Sequence, residues 1–154
     1  MGVAGSGKTT LGKSVSEALG GIFVDADNFH SSRAIANMKI GISLTEENRK
    51  KWLTKLFVHL SNFQEKDVVI CACSALSSKS QVRFKSLGYR IVFLEGNYAT
   101  LEKRIKNRKG HFFPHELLLD QLNNLQKPDA DLVLDIELSR KKLKKALLNY
   151  LYGG

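Results

Sequence analysis

Cysteine is scarce: only Cys71 and Cys73 occur in 154 residues. Two apart in an apolar run, they would share one face of a strand and be poorly placed for a disulfide, so they read as buried thiols rather than a staple or a metal site. No apolar run approaches the roughly 20 residues of a membrane helix, and no charged-then-apolar segment precedes the first glycines. No membrane partner and a cytoplasmic location are expected. Internal repeats and low-complexity linkers are missing too, and a chain of this length with 43% hydrophobic residues suits one domain spanning 1–154. Acidic residues are outnumbered, 15 against 24 Lys and Arg, for a formal charge of +9. That raises nucleic acid as a partner, but Arg140, Lys141, Lys142, Lys144 and Lys145 alternate with leucines as the solvated face of a terminal helix does, and no nucleic-acid partner is expected. GTPase signatures are also missing: neither Asn-Lys-x-Asp nor Asp-x-x-Gly occurs.

What the chain does have begins at once. Gly2-Val3-Ala4-Gly5-Ser6-Gly7-Lys8-Thr9-Thr10 fits the phosphate-binding template G-x-x-x-x-G-K-[ST] at every specified position. Glycines without Cβ let successive backbone N–H groups converge on phosphate oxygens. Lys8 adds a mobile cation for the β- and γ-phosphates, the helix starting near it directs its positive dipole end at them, and the Thr9 hydroxyl can ligate Mg²⁺. Residues 2–10 are therefore the predicted nucleotide site, for ATP with Mg²⁺. Such a loop follows a buried strand, and only Met1 precedes it here, so the first strand is expected upstream of this Met.

The rest alternates strands and helices. Leu11, Val15, Ala18 and Leu19 recur at helical spacing up to Gly20-Gly21, where a C-cap belongs. Ile22–Val24, Val68–Cys73, Ile91–Leu94 and Leu132–Leu134 read as buried strands. Helices are predicted over Ser31–Lys39, from Thr45 with an apolar stripe of Trp52, Leu53, Leu56, Phe57, Leu60 and Phe63, and over Lys79–Ser86, Tyr98–Asn107, His115–Leu125 and Leu138–Leu151. This order predicts an α/β fold: a parallel sheet with helices on both faces.

Asp25 and Asp27 stand two apart at a predicted strand end and can point the same way towards the nucleotide. Two carboxylates beside Mg²⁺ have separable uses, one holding the metal through water and one accepting the proton of a substrate hydroxyl that attacks the γ-phosphate. His30 can bond a polyol or cap the next helix. Arg104, Arg108, Lys109 and His111 cluster before and after Gly110, and arginines that close over a nucleotide meet the charge developing on its phosphates. Without a GTPase signature, a small-molecule or base-reading kinase remains.

These residues resemble the gluconate kinase family, relatives of shikimate kinase among the small P-loop kinases, from Met1 to about Ile136. The likeness rests on the loop, on Asp25-x-Asp27-x-x-His30, Met38-x-x-Gly41 with Leu44, and Arg49-x-x-Trp52-Leu53. It continues through Cys73-Ser74-Ala75-Leu76, Arg104-x-x-x-Arg108-x-Gly110-His111-Phe112 and Leu118-x-x-Gln121-x-x-x-Leu125-x-x-Pro128. The resemblance implies ATP-dependent phosphorylation of D-gluconate at its 6-hydroxyl. Lys8 and Thr9 would hold phosphate and Mg²⁺, with Asp25 near the metal and Asp27 as base. His30, Arg49 and His111 would hold the sugar acid or order the site, and Arg104 and Arg108 would form the lid. The partner is then a small sugar acid, with a homodimer left open. Several positions depart from the family: His30-Ser31 replaces His-Pro, Lys51-Trp52-Leu53 replaces Pro-Trp-Leu, and Ser77 and Gln81 replace a lysine and an arginine expected near an anionic substrate. Ser77→Lys with Gln81→Arg is thus expected to lower the KM for gluconate. Two alternatives follow: a related kinase with an altered acceptor, and a catalytically weak nucleotide-binding relative.

Overall fold

The glycine loop runs straight into α1 (Lys8–Leu19), which closes at Gly20 in the left-handed conformation as its sequence predicts. In this computed structural model, which describes residues 1–107 and 114–153, there follow β1 (Ile22–Asp25), a 3₁₀ turn (Ala26–Phe29), α2 (Ser32–Lys39), α3 (Glu46–Leu60), β2 (Val69–Ala72) and α4 (Ser78–Ser86). The second half holds β3 (Val92–Glu95), α5 (Tyr98–Lys106), α6 (His115–Asn124), β4 (Leu132–Asp135) and α7 (Arg140–Tyr152). Predicted and observed bounds agree within two residues, except that the stripe expected on α3 runs to Phe63 and the helix ends at Leu60. The helix starts have a common cause: Ser31, Thr45, Ser77, Asn97 and Ser139 each accept a backbone N–H three residues on, capping α2, α3, α4, α5 and α7. His30 therefore does not cap α2; Ser31 does.

Strand pairing is parallel throughout. β1 pairs with β2 in register Val24 to Cys71, and β3 with β4 in register Leu94 to Leu134. Pleating sends alternate residues to opposite helical layers. Ile70 packs with Leu11 and Val15 of α1 and Leu143 and Leu147 of α7, whereas Val69 and Cys71 pack with Trp52, Leu56 and Leu60 of α3 and Phe84 of α4. The expected stripe of α3 is thus core. Gly12 lets α1 lie against β1, for a Cβ there would meet the Phe23 ring at 2.6 Å. Cys71 and Cys73 are free thiols, and burial pushes Cys73 up to about 12 and Cys71 higher still.

One expectation changes. The sheet is not continuous among the described residues: β1–β2 and β3–β4 are separate pairs. At the seam Met1 alone pairs as a strand residue, its nitrogen donating to the Val92 carbonyl and its carbonyl accepting from the Leu94 N–H at 2.9 Å. No described helix is long and apolar enough to cross a membrane.

Candidate active site

Local chemistry leaves one helix start open to an anion. α1 has no side-chain cap and no acid in its first turn, and Gly7 enters it with φ 93°. Unlike the capped helices, it thus presents its positive dipole end with no side-chain cap or acid of the chain against it, a setting that suits an anionic ligand. Gly5, at φ 78°, lies so close to α5 that a Cβ would meet the Leu101 carbonyl at 3.0 Å. The loop is also held from outside, because the Ala4 N–H donates to Gln121 Oε1 of α6 at 2.7 Å. Sequence reasoning had noted Gln121 only as part of a spacing pattern; no local signal shows that a helix over a hundred residues away reaches the loop. Lys8 Nζ donates to the Val3 carbonyl at 2.9 Å. Val3 is buried in the core, while Thr10 is exposed beside the cleft.

Loop, β1 and the 3₁₀ turn meet in a cleft of about 1280 Å³. Asp25, at the end of β1, accepts the Thr9 hydroxyl on Oδ2 at 3.0 Å and the Asp27 N–H on Oδ1 at 3.1 Å. The two acids therefore do not share a strand face as expected. Asp25 caps the 3₁₀ turn, and the turn carries Asp27 outwards with its side chain 79% exposed. The Thr9–Asp25 pair is a set of hard oxygen donors, the kind Mg²⁺ takes when phosphates complete its shell.

Behind Asp27, His30 is 6% exposed and stacks on Trp52, ring centroids 4.3 Å apart. Trp52 is itself fixed by its indole N–H donating to the Ala26 carbonyl at 2.6 Å. Burial pulls the His30 imidazole below its usual 6.5 against the opposing pull of Asp27 and Asp25, so it is neutral at pH 7. Nε2 lies 3.8 Å from Asp27 Oδ1, and Nδ1 is buried without a hydrogen-bond partner. Arg49 lines the same cleft, its buried Nε without a hydrogen bond but 3.6 Å from Glu46 Oε2 in an ion pair. A buried polar atom without a hydrogen bond costs about 1–3 kcal/mol, so both side chains are disposed to bond a ligand group that enters the cleft. Trp52, expected in the core and as part of the Arg49-x-x-Trp52-Leu53 motif, also stacks on His30.

Arg104 of α5 donates to the Ile136 carbonyl, and its Nη1 lies 3.8 Å from where a Cβ on Gly7 would stand. The structure thus brings Lys8, Thr9, Asp25, Asp27, His30, Arg49 and Arg104 to one cleft. Arg108 and His111 lie outside the described residues.

The departures at Ser77 and Gln81 resolve differently from expectation. Ser77 caps α4, and Gln81 is buried, its amide Nε2 donating to the carbonyls of Ala75 at 3.1 Å and Gln126 at 2.7 Å. Ala75 sits at φ 45°, a left-handed conformation that L-residues seldom adopt, and these bonds brace it. Neither side chain is a place from which a cation was simply deleted. Restoring Lys and Arg would break a cap and a buried amide bridge, so the gain in gluconate affinity expected from sequence is withdrawn.

The shikimate kinase family model matches residues 4–142. The thermosensitive gluconokinase of Escherichia coli (strain K12) is 36% identical over 134 residues, covering 85% of this chain and 72% of that protein. The chain belongs to the gluconokinase family. A probable gluconokinase of Dictyostelium discoideum is 35% identical, covering 98% of this chain and 84% of that one. The crystal structure of a gluconokinase from Sinorhizobium meliloti 1021 superposes with a TM-score of 0.86 at 31% identity, over 99% of this chain and 89% of that one. As a member of this family the chain is an ATP-dependent carbohydrate kinase with the α/β P-loop fold.

Proposed function

We propose that this kinase transfers the γ-phosphoryl group of ATP to the terminal hydroxyl of D-gluconate. Membership of the gluconokinase family supports that acceptor. The observation that carries the chemistry is the exposed Asp27 carboxylate in one cleft with the uncapped start of α1 and the His30 and Arg49 side chains. In this reading residues 2–10 cradle the phosphates and Lys8 leaves the Val3 carbonyl to neutralise them. Thr9 and Asp25 hold Mg²⁺, which supplies charge neutralisation at the phosphates when bound. Asp27 accepts the proton of the attacking hydroxyl as the O–P bond forms and the bond to the ADP oxygen breaks. Arg49 meets the acceptor carboxylate, while neutral His30 orients a hydroxyl. Arg104 meets the charge developing on the phosphates, the part proposed for Arg108 as well, and His111 is proposed to hold the sugar acid or order the site.

The structural use of Ser77 and Gln81 favours a second reading, a related kinase with an altered acceptor, because the cations expected beside a carboxylate are replaced there by a cap and a bridge. The test is a coupled assay of ADP release over gluconate, other sugar acids and neutral polyols at saturating ATP–Mg²⁺. A higher kcat/KM for gluconate than for the rest is expected. A neutral polyol turned over faster would move the assignment to the second reading, and no ADP release with any of them would refute both.

A further inference from the structure

The catalytic cleft has two ends with the phosphate loop between them. Asp27, His30 and Arg49 line the end built on β1 and α3. The other end is formed by the helices that follow β3 and β4: Lys103, Arg104 and Asn107 of α5, and Arg140 and Lys144 of α7. With the acceptor groups at the first end and the phosphates on the loop, the second is left for the nucleoside of ATP, whose ribose and base carry no charge at pH 7. Its side chains are nonetheless strongly basic. Among the described residues Lys103, Arg104, Arg140 and Lys144 share this end with one carboxylate, Glu137. The other acids of the cleft are Asp25 and Asp27 at the acceptor end and Asp120 of α6, which accepts from Asn124 Nδ2 at 3.0 Å.

These cations are held in place but not neutralised. Glu137 Oε1 accepts from Asn97 Nδ2 at 2.8 Å and Thr100 Oγ1 at 2.6 Å, which ties the turn before α7 to the start of α5. Arg140 and Lys144 stand four apart on α7, and Leu143 and Leu147 of the same stripe pack with Leu11 and Val15, fixing that stripe against α1, the helix that the loop enters. Elsewhere Lys51, Lys85, Lys106 and Lys127 each hold a carboxylate within 3.1 Å. Lys103, Arg140 and Lys144 hold none among the described residues, although Lys144 is half-buried. A cation partly withdrawn from water without a counter-ion loses solvation that a bound anion restores.

We propose, given that residues 2–10 hold the phosphates of ATP, that this α5–α7 end is an anion subsite for a further phosphate group, beyond those on the loop. Ligands richer in phosphate than ADP then bind in competition with ATP and hold the kinase back. Arg140 can grip two oxygens of one phosphate in its planar fork, while Lys103 and Lys144 act as point charges. Such a phosphate reaches the subsite from either of two sources: the ribose of a nucleotide phosphorylated there, or the continuation of a linear inorganic polyphosphate from the loop.

Titration calorimetry with Mg²⁺ and no acceptor tests this, so that its outcome is independent of which sugar acid is phosphorylated. The native chain is expected to bind adenosine 3′-phosphate 5′-diphosphate at least about tenfold more tightly than ADP. In Arg140→Gln with Lys144→Gln that preference should vanish while the affinity for ADP stays within about twofold. Lys141→Gln with Lys142→Gln, which removes the same charge from the same helix outside the cleft, should keep it. Tetrapolyphosphate against tripolyphosphate identifies the source: a matching preference there shows that the subsite needs no ribose, and a preference confined to the nucleotide shows that it does. Equal affinity of the native chain for both nucleotides would overturn the subsite. So would equal loss in the two double variants, or a parallel loss for ADP and the bisphosphorylated nucleotide, either of which reduces the cations to long-range attraction. No binding of ADP at all would overturn the loop assignment and the subsite with it, whereas ADP binding without any preference overturns the subsite alone.

Discussion

Gln81→Met removes a side chain whose volume is nearly conserved while both its amide bonds are lost. In the structure Nε2 bridges the carbonyls of Ala75 and Gln126, on two segments that the Ser78 N–H also joins by donating to Gln126 Oε1. The first of these holds Ala75 in its left-handed conformation; the second is reinforced by the Gln126 N–H on the Leu76 carbonyl at 2.8 Å. Each hydrogen bond contributes about 0.5–1.5 kcal/mol net, and the carbonyls left behind are buried or partly so, which together put the loss at about 2–3 kcal/mol. Methionine recovers little, since the site is already filled. With a urea slope of about 2 kcal/mol per M, the unfolding midpoint should fall by roughly 1–1.5 M at unchanged slope. The loop braced by Gln81 carries Ser74 to the catalytic cleft, so the KM for the acceptor should rise severalfold while the KM for ATP stays within about twofold. Equilibrium unfolding followed by Trp52 fluorescence, with steady-state titrations of gluconate and ATP, measures all three. Wild-type stability for Gln81→Met would refute the bridge. Gln81→Arg gives the sharper contrast, for a cation forced into this site should also destabilise and raise the acceptor KM; a stable Gln81→Arg protein with a lowered KM would show that the arginine escapes to the cleft.

Lys8→Ala should abolish detectable turnover in the coupled assay, because the cation that would neutralise the β- and γ-phosphates is lost. Asp27→Asn should lower kcat at least about a hundredfold with the KM for ATP little changed, whereas Asp25→Asn should raise the Mg²⁺ concentration needed for half-maximal rate; equal loss of ATP affinity in both would show the roles to be reversed. For His30, the folded imidazole lies below 6.5, so the unfolded chain binds more protons as the pH falls. Its contribution is present above about pH 6.5 and is lost on acidification below it; His30→Gln should flatten that part of the stability–pH curve, read by urea midpoints between pH 5 and 8.

Much of this protein follows from local chemistry. The glycine spacing and Lys8-Thr9 define a phosphate loop without reference to the rest of the chain, because the motif's elements are neighbours in sequence and their conformations are local. The helix starts are legible for the same reason: Ser31, Thr45, Ser77, Asn97 and Ser139 act on N–H groups three residues away. Strand positions were readable because strands covered on both faces are continuously apolar. Other features depended on residues distant in sequence. Whether Gln81 is a lost cation or a structural bridge turns on Gln126, 45 residues away, and on the φ angle of Ala75, neither of which leaves a local pattern. Gln121 reaches the Ala4 N–H across 117 residues, and Trp52 aligns His30 while bonding to Ala26. Asp25 and Asp27 look equivalent in sequence; the 3₁₀ turn separates them, committing one to Thr9 and exposing the other. Local hydrogen-bonding and steric rules determined the elements and the loop, whereas the assignment of each polar side chain to bracing or to chemistry was decided by which distant partner the packed layers brought within about 3 Å.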